Sequence, residues 1–307
     1  MTLNIDWLRG CATALVTPFT TDGAIDESAL RRLVEYQITG GVELLVPCGT
    51  TGESATMTET EDQQVIKLVI ETAKGRARVI AGTGSNATAA AIEYSQTAQQ
   101  LGADAVLVVA PFYNKPTQDG LYAHFRAVAE SVSDLPVVIY NVPGRTSSNI
   151  TAQTTLGLAR DVPNIVAVKE ASGNLSQIME ILRDRPDNFR VLSGDDSFTF
   201  PLLALGAEGL ISVAANEAPA LMSQMINLAL QGDWIEARDL HYRLLALMEV
   251  NFIESSPGPV KAALAMMGLI EESYRLPLVP ISEQSKIKLR SVLGELGLLK
   301  ETSHAAA

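Results

Sequence analysis

AVLVVAPFYNKPTQDGLYAHFRAVAESVSDLPVVIYN, residues 105–141, holds one complete structural unit. Its first six residues, AVLVVA (105–110), are continuously apolar and rich in valine, which suits a strand buried on both faces. A loop of Pro, Asn, Asp and Gly follows, and then Leu121, Phe125 and Val128 recur at helical spacing. PVVIYN (136–141) is a second buried run. Two buried strands joined through a helix are parallel, because only a crossover of that length returns the chain in the same direction. The same rhythm extends outward in both directions. CATALV (11–16), GVELLV (41–46) and RVIAGT (78–83) precede the unit; IVAVKE (165–170), RVLSG (190–194) and GLISVAA (209–215) follow it. Eight such runs favour a closed barrel over an open sheet. The expected fold is an α/β chain forming a TIM (β/α)8 barrel with a C-terminal helical domain.

Several helix ends are readable. Thr58 and Glu61 form a capping-box pattern ahead of Val65, Leu68 and Val69, with Gly75 as the stop. Thr88 opens a helix ending near Gly102. The helix between runs five and six is poorly signalled, and the 19 residues from run seven to run eight leave room for only a short one. After run eight, segments at 219–231, 233–250, 259–267 and 282–296 read as helices, the first completing the barrel. The expected division is a barrel domain over 1–232, a helical domain over 233–300 and a flexible tail over 301–307.

Thirty-five acidic residues against 23 basic ones give a net charge of -12, which disfavours phosphate backbones and anionic lipid. A local cation can still invert that field inside a pocket. Cys11 and Cys48 both lie in apolar runs and fit buried free thiols in a reducing compartment. The first ten residues, MTLNIDWLRG, lack the pattern of a secretory leader, and no apolar stretch approaches 18 residues. The reading is cytoplasmic, without nucleic-acid or membrane partners.

In such a barrel the reacting groups sit at the C-terminal ends of the strands. Those positions carry Thr50 and Thr51, Thr83, Tyr113, Tyr140, Lys169, Gly194, Asp195 and Asp196, and Asn216. Lys169 is the sharpest signal, since it alone of eight lysines lies in a strand-like apolar run. Burial favours its neutral amine, which attacks a ketone to form a Schiff base. The competing reading is a buried ion pair, although Glu170, as the adjacent strand residue, points the opposite way. Tyr140 and Tyr113 suit the proton transfers of imine chemistry, or else form an aromatic rim. GTTGES (49–54) offers hydroxyls and turning backbone to an anion, or is simply a tight turn. Arg145, in NVPGRTSSN, suits a bidentate grip on a carboxylate, or is a solvated surface residue.

Other chemistries lack reagents. Neither GTTGES nor GTGSNAT (82–88) has nucleotide-binding spacing. His124, His241 and His304 are scattered, Asp195-Asp196 is weak evidence for a cation, and Ser255-Ser256 has no evident base.

Taken together, GTTGES, APFYNKPTQ, YNVPGRT, VAVKEAS and LSGDD resemble the pyruvate-dependent class I aldolase and N-acetylneuraminate lyase family, which includes dihydrodipicolinate synthase and sialic-acid lyase. The resemblance spans about residues 8–298. It implies a homotetramer built as a dimer of dimers, with no cofactor and no metal. It implies that Lys169 binds pyruvate and that Thr50, Tyr140 and Tyr113 relay protons, Tyr113 reaching a neighbouring subunit's site. Thr51 matches a pyruvate-carboxylate ligand, and Gly194 and Ile211 match contacts around the imine. Arg145 matches the arginine that grips L-aspartate 4-semialdehyde. The implied reaction joins that aldehyde to pyruvate, giving (4S)-4-hydroxy-2,3,4,5-tetrahydrodipicolinate for diaminopimelate and lysine biosynthesis. A lyase acting on a sugar-derived 2-oxo acid is the alternative enzyme, and a catalytically silent binding protein is the alternative class. Lysine-sensitive relatives use a histidine, a glutamate and a tyrosine where this chain has Glu59, Ala90 and Phe112, while Ser54, Ala55 and Asn86 stay compatible. Lysine inhibition is therefore expected to be weak or absent.

Overall fold

The computed structural model describes residues 3–299. Eight parallel strands close into a barrel in chain order: β1 (Gly10–Ala14), β2 (Leu44–Val46), β3 (Arg78–Gly82), β4 (Ala105–Val109), β5 (Val137–Asn141), β6 (Ile165–Glu170), β7 (Arg190–Ser193) and β8 (Gly209–Ser212). Closure runs through β8 pairing with β1, from Gly10 opposite Gly209 to Thr13 opposite Ser212. The near-continuous apolar runs are explained by burial on both faces. Ala12, Val46, Ile80, Leu107, Val138, Ala167, Leu192 and Ile211 fill the interior, with Ile5 and Leu8 joining them from the segment before β1. Val106, Val108, Ile139, Val168, Val191 and Leu210 face outward to the helices.

The helices of the barrel are α1 (Glu27–Thr39), α2 (Glu59–Ala73), α3 (Thr88–Leu101), α4 (Gln118–Ser131), α5 (Pro143–Thr146), α6 (Ala152–Asp161), α7 (Leu175–Asp184), α8 (Thr199–Ala204) and α9 (Pro219–Gln231). The capping box at the start of α2 forms as expected. Its end differs by one residue: Lys74, not Gly75, first takes the left-handed conformation, and its N–H reaches Ile70 O. The weakly signalled interval after β5 holds two helices, and α8 has only six residues. Beyond α9 lie α10 (Trp234–Val250), α11 (Gly258–Met266) and α12 (Glu283–Glu295), where helices were expected. The tail over 301–307 lies outside the described residues. No helix among the described residues is long and apolar enough to cross a membrane.

One run outlasts its strand. GLISVAA reads as a strand to residue 215, but β8 stops at Ser212 and Ala214–Asn216 is a 3-10 turn. The cause is Asp196, whose carboxylate accepts the N–H groups of Val213 and Ala214 and the Ser212 hydroxyl. Those amides leave the ladder because a buried anion takes them.

Candidate active site

The register sets Tyr140 on β5 directly beside Lys169 on β6. Strand alternation sends Val168 outward and Lys169 inward, where the side chain is buried. Its Nζ lies 4.2 Å from the centroid of the Tyr140 ring. Burial pulls the amine down from 10.5 to about 7, with Asp196 opposing that shift and Arg145 reinforcing it. Burial also pushes the Tyr140 hydroxyl up to about 12. The site thus holds a neutral phenol next to an amine that is roughly half deprotonated at neutral pH.

Glu170 does not pair with Lys169. Its carboxylate points to the outer face, accepting from Asn141 Nδ2, Ser172 N and Gln177 Nε2. Lys169 has no carboxylate within salt-bridge range among the described residues. Gly194, one residue past β7, leaves room for the lysine stem. A Cβ there would stand 3.0 Å from both Lys169 Cγ and Lys169 Cε, and 2.8 Å from Ala171 Cβ. Ile211 on β8 is buried in the same barrel interior as Tyr140.

The loops supply the rest. In the β2–α2 loop Thr50 is exposed and Thr51 buried, with Cys48 and Glu53 both at positive φ on either side. Gly52 is held from behind, its carbonyl accepting from Thr17 Oγ1 at 2.7 Å. Tyr113, in the β4–α4 loop, is 88% exposed and at φ 74. Its N–H reaches Thr146 O in α5, which links it to the helix bearing Arg145. Arg145 is exposed, yet its charge lowers the titration of both Lys169 and Tyr140.

Other strand-end candidates serve the scaffold. Thr83 bonds to Ser95 in α3. Asn216 accepts from Val16 N and donates to Ala14 O. Asp195 accepts from Ser197 and Phe198 at the start of α8, and Asp196 holds β8 as described. Their carboxylates are already occupied by internal donors, and among the described residues no three His, Cys, Asp or Glu are grouped to hold a metal ion. A cavity of about 400 Å³ lies at the opposite end of the barrel, beside Trp7, Gly10 and Arg78, and contains none of the candidate residues.

Sequence reasoning missed one buried pair: Lys261 on α11 binds Glu53 at 2.5 Å, with both side chains fully buried. Its signal was a lysine flanked by Val260, Ala262, Ala263 and Leu264 on a helix.

A buried amine lying against a tyrosine, at the strand ends of a closed (β/α)8 barrel, is an arrangement suited to imine chemistry. The profile of the dihydrodipicolinate synthetase family matches residues 7–296. A 4-hydroxy-tetrahydrodipicolinate synthase of Koribacter versatilis is 54% identical, covering 97% of this chain and 99% of its own. Among solved structures, the Aquifex aeolicus dihydrodipicolinate synthase is 47% identical with a TM-score of 0.93, over 95% of this chain and 99% of that one. The Acinetobacter baumannii synthase, solved with pyruvate, is 44% identical with a TM-score of 0.93, over the same shares of the two chains. The chain belongs to the dihydrodipicolinate synthetase family.

Proposed function

We propose that this protein condenses pyruvate with L-aspartate 4-semialdehyde, opening the route to diaminopimelate and lysine. The observation that carries the reading is Lys169, buried against Tyr140 with no ion-pair partner among the described residues, its amine brought down to about 7. The neutral amine adds to the pyruvate ketone, and the carbinolamine loses water to give an imine. The protonated imine then accepts the electrons of a methyl C–H bond as the proton leaves, forming an enamine. The enamine carbon attacks the aldehyde carbon. The semialdehyde's own amine next displaces Lys169, closing the ring and freeing the lysine. No metal or nucleotide takes part in these steps.

In this scheme Thr50, Tyr140 and Tyr113 pass protons onto and off the reacting oxygens and carbon. Thr51 holds the pyruvate carboxylate, Arg145 the semialdehyde carboxylate, and Gly194 and Ile211 shape the imine's surroundings. Barrel residues 1–232 supply these groups, and residues 233–300 form a second, helical domain. We place the enzyme in the cytoplasm, a reading supported by two buried free cysteines. A homotetramer is supported by two separate exposed apolar surfaces: Phe112 with Tyr113, and Leu175, Met179 and Leu205 around α7 and α8. The first would carry Tyr113 into the neighbouring site.

The direct test is a substrate panel, with pyruvate offered alongside aspartate semialdehyde and sugar-derived aldehydes. Turnover is expected with aspartate semialdehyde far above the rest; a clear preference for a sugar aldehyde refutes the assignment.

Lysine at millimolar concentration is expected to inhibit weakly or not at all. Glu59 is already engaged by Gln63 Nε2 at 2.9 Å, Ala90 has no group for an ammonium, and Phe112 lacks a hydroxyl. Losing a charged partner costs roughly tenfold in affinity per ~1.4 kcal/mol. Initial rates at subsaturating pyruvate check this, and saturable inhibition at micromolar lysine contradicts it.

A further inference from the structure

The Glu53–Lys261 pair lies outside the reacting groups, yet Glu53 is two residues from Thr51. Its place is unusual in two respects. Both side chains are fully buried, and removing two such charges from water costs several kcal/mol per ion before their attraction offsets it. A well-packed apolar pair would stabilise the fold at least as well, so stability alone is a weak reason for it. Glu53 also sits at φ 56, and Cys48, at the other end of the Gly49–Gly52 segment, at φ 57. Non-glycine residues persist there only where their surroundings over-determine them.

The surroundings supply that determination from two sides. Below the loop, a Cβ on Gly82 would lie 2.2 Å from Cys48 O, so the β3 end presses directly on the loop backbone. From the C-terminal domain, Lys261 reaches across to Glu53 while its ammonium lies 4.3 Å from the Phe19 ring centroid. Arg275 covers the same ring at 4.3 Å, donates to Gly23 O and Thr56 O, and forms a bidentate pair with Glu61. The ends of two barrel loops are thereby fastened to the C-terminal helical segment.

We infer that the Glu53–Lys261 pair sets the position of Thr50 and Thr51, making Glu53 and Lys261 positioning residues for the pyruvate carboxylate. The inference rests on the reading that Thr51 binds that carboxylate. A hydroxyl or amide displaced by about 1 Å loses much of its hydrogen bond, and such displacements cost up to ~100-fold. The effect should therefore follow the carboxylate and spare the ketone.

The test is borohydride trapping on the full chain, with pyruvate and with acetone, a ketone lacking the carboxylate. In Lys261→Met the half-saturating pyruvate concentration for trapping at Lys169 is expected to rise about tenfold or more. Acetone trapping is expected to stay within about twofold of the parent. Glu53→Gln, which still accepts from Lys261, should shift pyruvate in the same direction by less. The double variant Glu53→Gln/Lys261→Met leaves no unpaired charge, so it guards against a single variant that fails to fold. Its pyruvate half-saturation is expected to stay raised while its stability recovers. Parent-like pyruvate trapping in the double variant, or equal losses for pyruvate and acetone in folded protein, overturns the inference. Failure of the unaltered protein to trap pyruvate would instead sink the function reading itself.

Discussion

Lys169→Ala is expected to lower kcat/KM by about 10³-fold or more and to abolish borohydride trapping of pyruvate, with the fold intact. In the proposed scheme the amine is the covalent partner, and no second free buried amine among the described residues substitutes for it. Lys261, the other buried lysine among the described residues, is consumed by Glu53. Peptide mass mapping of the trapped parent should locate the adduct at Lys169, and an adduct on Lys115 or Lys261 would remove the assignment. The pH profile is a second signature. An ordinary lysine at 10.5 is neutral in only about one molecule in three thousand at pH 7, whereas Lys169, at about 7, is half neutral. The rate of imine formation in the free enzyme should therefore rise with pH and level off above about 7.

The same shift carries a stability cost with a defined sign. Between about pH 7 and 10.5 the unfolded chain holds a proton that folded Lys169 has released, so stability rises with pH across that window. Below pH 7 the buried amine is charged in both states and the penalty is complete, on the order of 3–5 kcal/mol. Exchanging the charge for a thioether in Lys169→Met should stabilise the inactive protein most near pH 6, and the gain should fade toward pH 10. Urea unfolding at fixed protein concentration reads this directly. A site that costs stability and supplies reactivity is the expected trade.

The barrel was legible because its strands are buried on both faces. AVLVVA and PVVIYN had to be continuous apolar runs, and continuity is easily read. The same property made β8 look too long: Val213 through Ala215 are as apolar as the strand, but Asp196 draws away the amides of Val213 and Ala214, and the Ser212 hydroxyl takes that of Ala215. That carboxylate lies 17 residues from Val213 in sequence, so no local pattern reveals it. Lys169 was legible because an ammonium in an apolar run has few physical explanations. The choice between amine and ion pair needed geometry, which Glu170 supplied by pointing to Asn141, Ser172 and Gln177. Arg145 could not be decided from sequence, because its charge acts on Lys169 only once the folded chain brings α5 near β6. Lys261 carried a local signal in its apolar helix, but its partner Glu53 lies 208 residues away and could not be read from sequence.

Gly194→Ala should damage activity far beyond what its single added methyl costs the fold. Gly194 sits at the end of β7, its N–H bonded to Glu170 O at 2.8 Å, so the backbone is held by the adjoining strand. The new Cβ would meet Ala171 Cβ at 2.8 Å, and Lys169 Cγ and Cε at 3.0 Å. Ala171 is fixed close to the β6 backbone, and the part that can give way is the lysine stem. Elsewhere such a flexible neighbour makes a clash inexpensive. Here the neighbour's terminal atom is the proposed nucleophile, so relief of the clash would displace the amine from the Tyr140 ring and from the carbon it is proposed to attack. A loss of about 10²-fold in kcat/KM is expected, with slower borohydride trapping and a stability cost of about 1–3 kcal/mol. Gly157→Ala on α6 is the matched control, because its Cβ would make only an ordinary contact, 3.5 Å from Tyr122 Cε2. If both variants trap pyruvate at the parent rate, the lysine stem does not lie where Gly194 makes room for it.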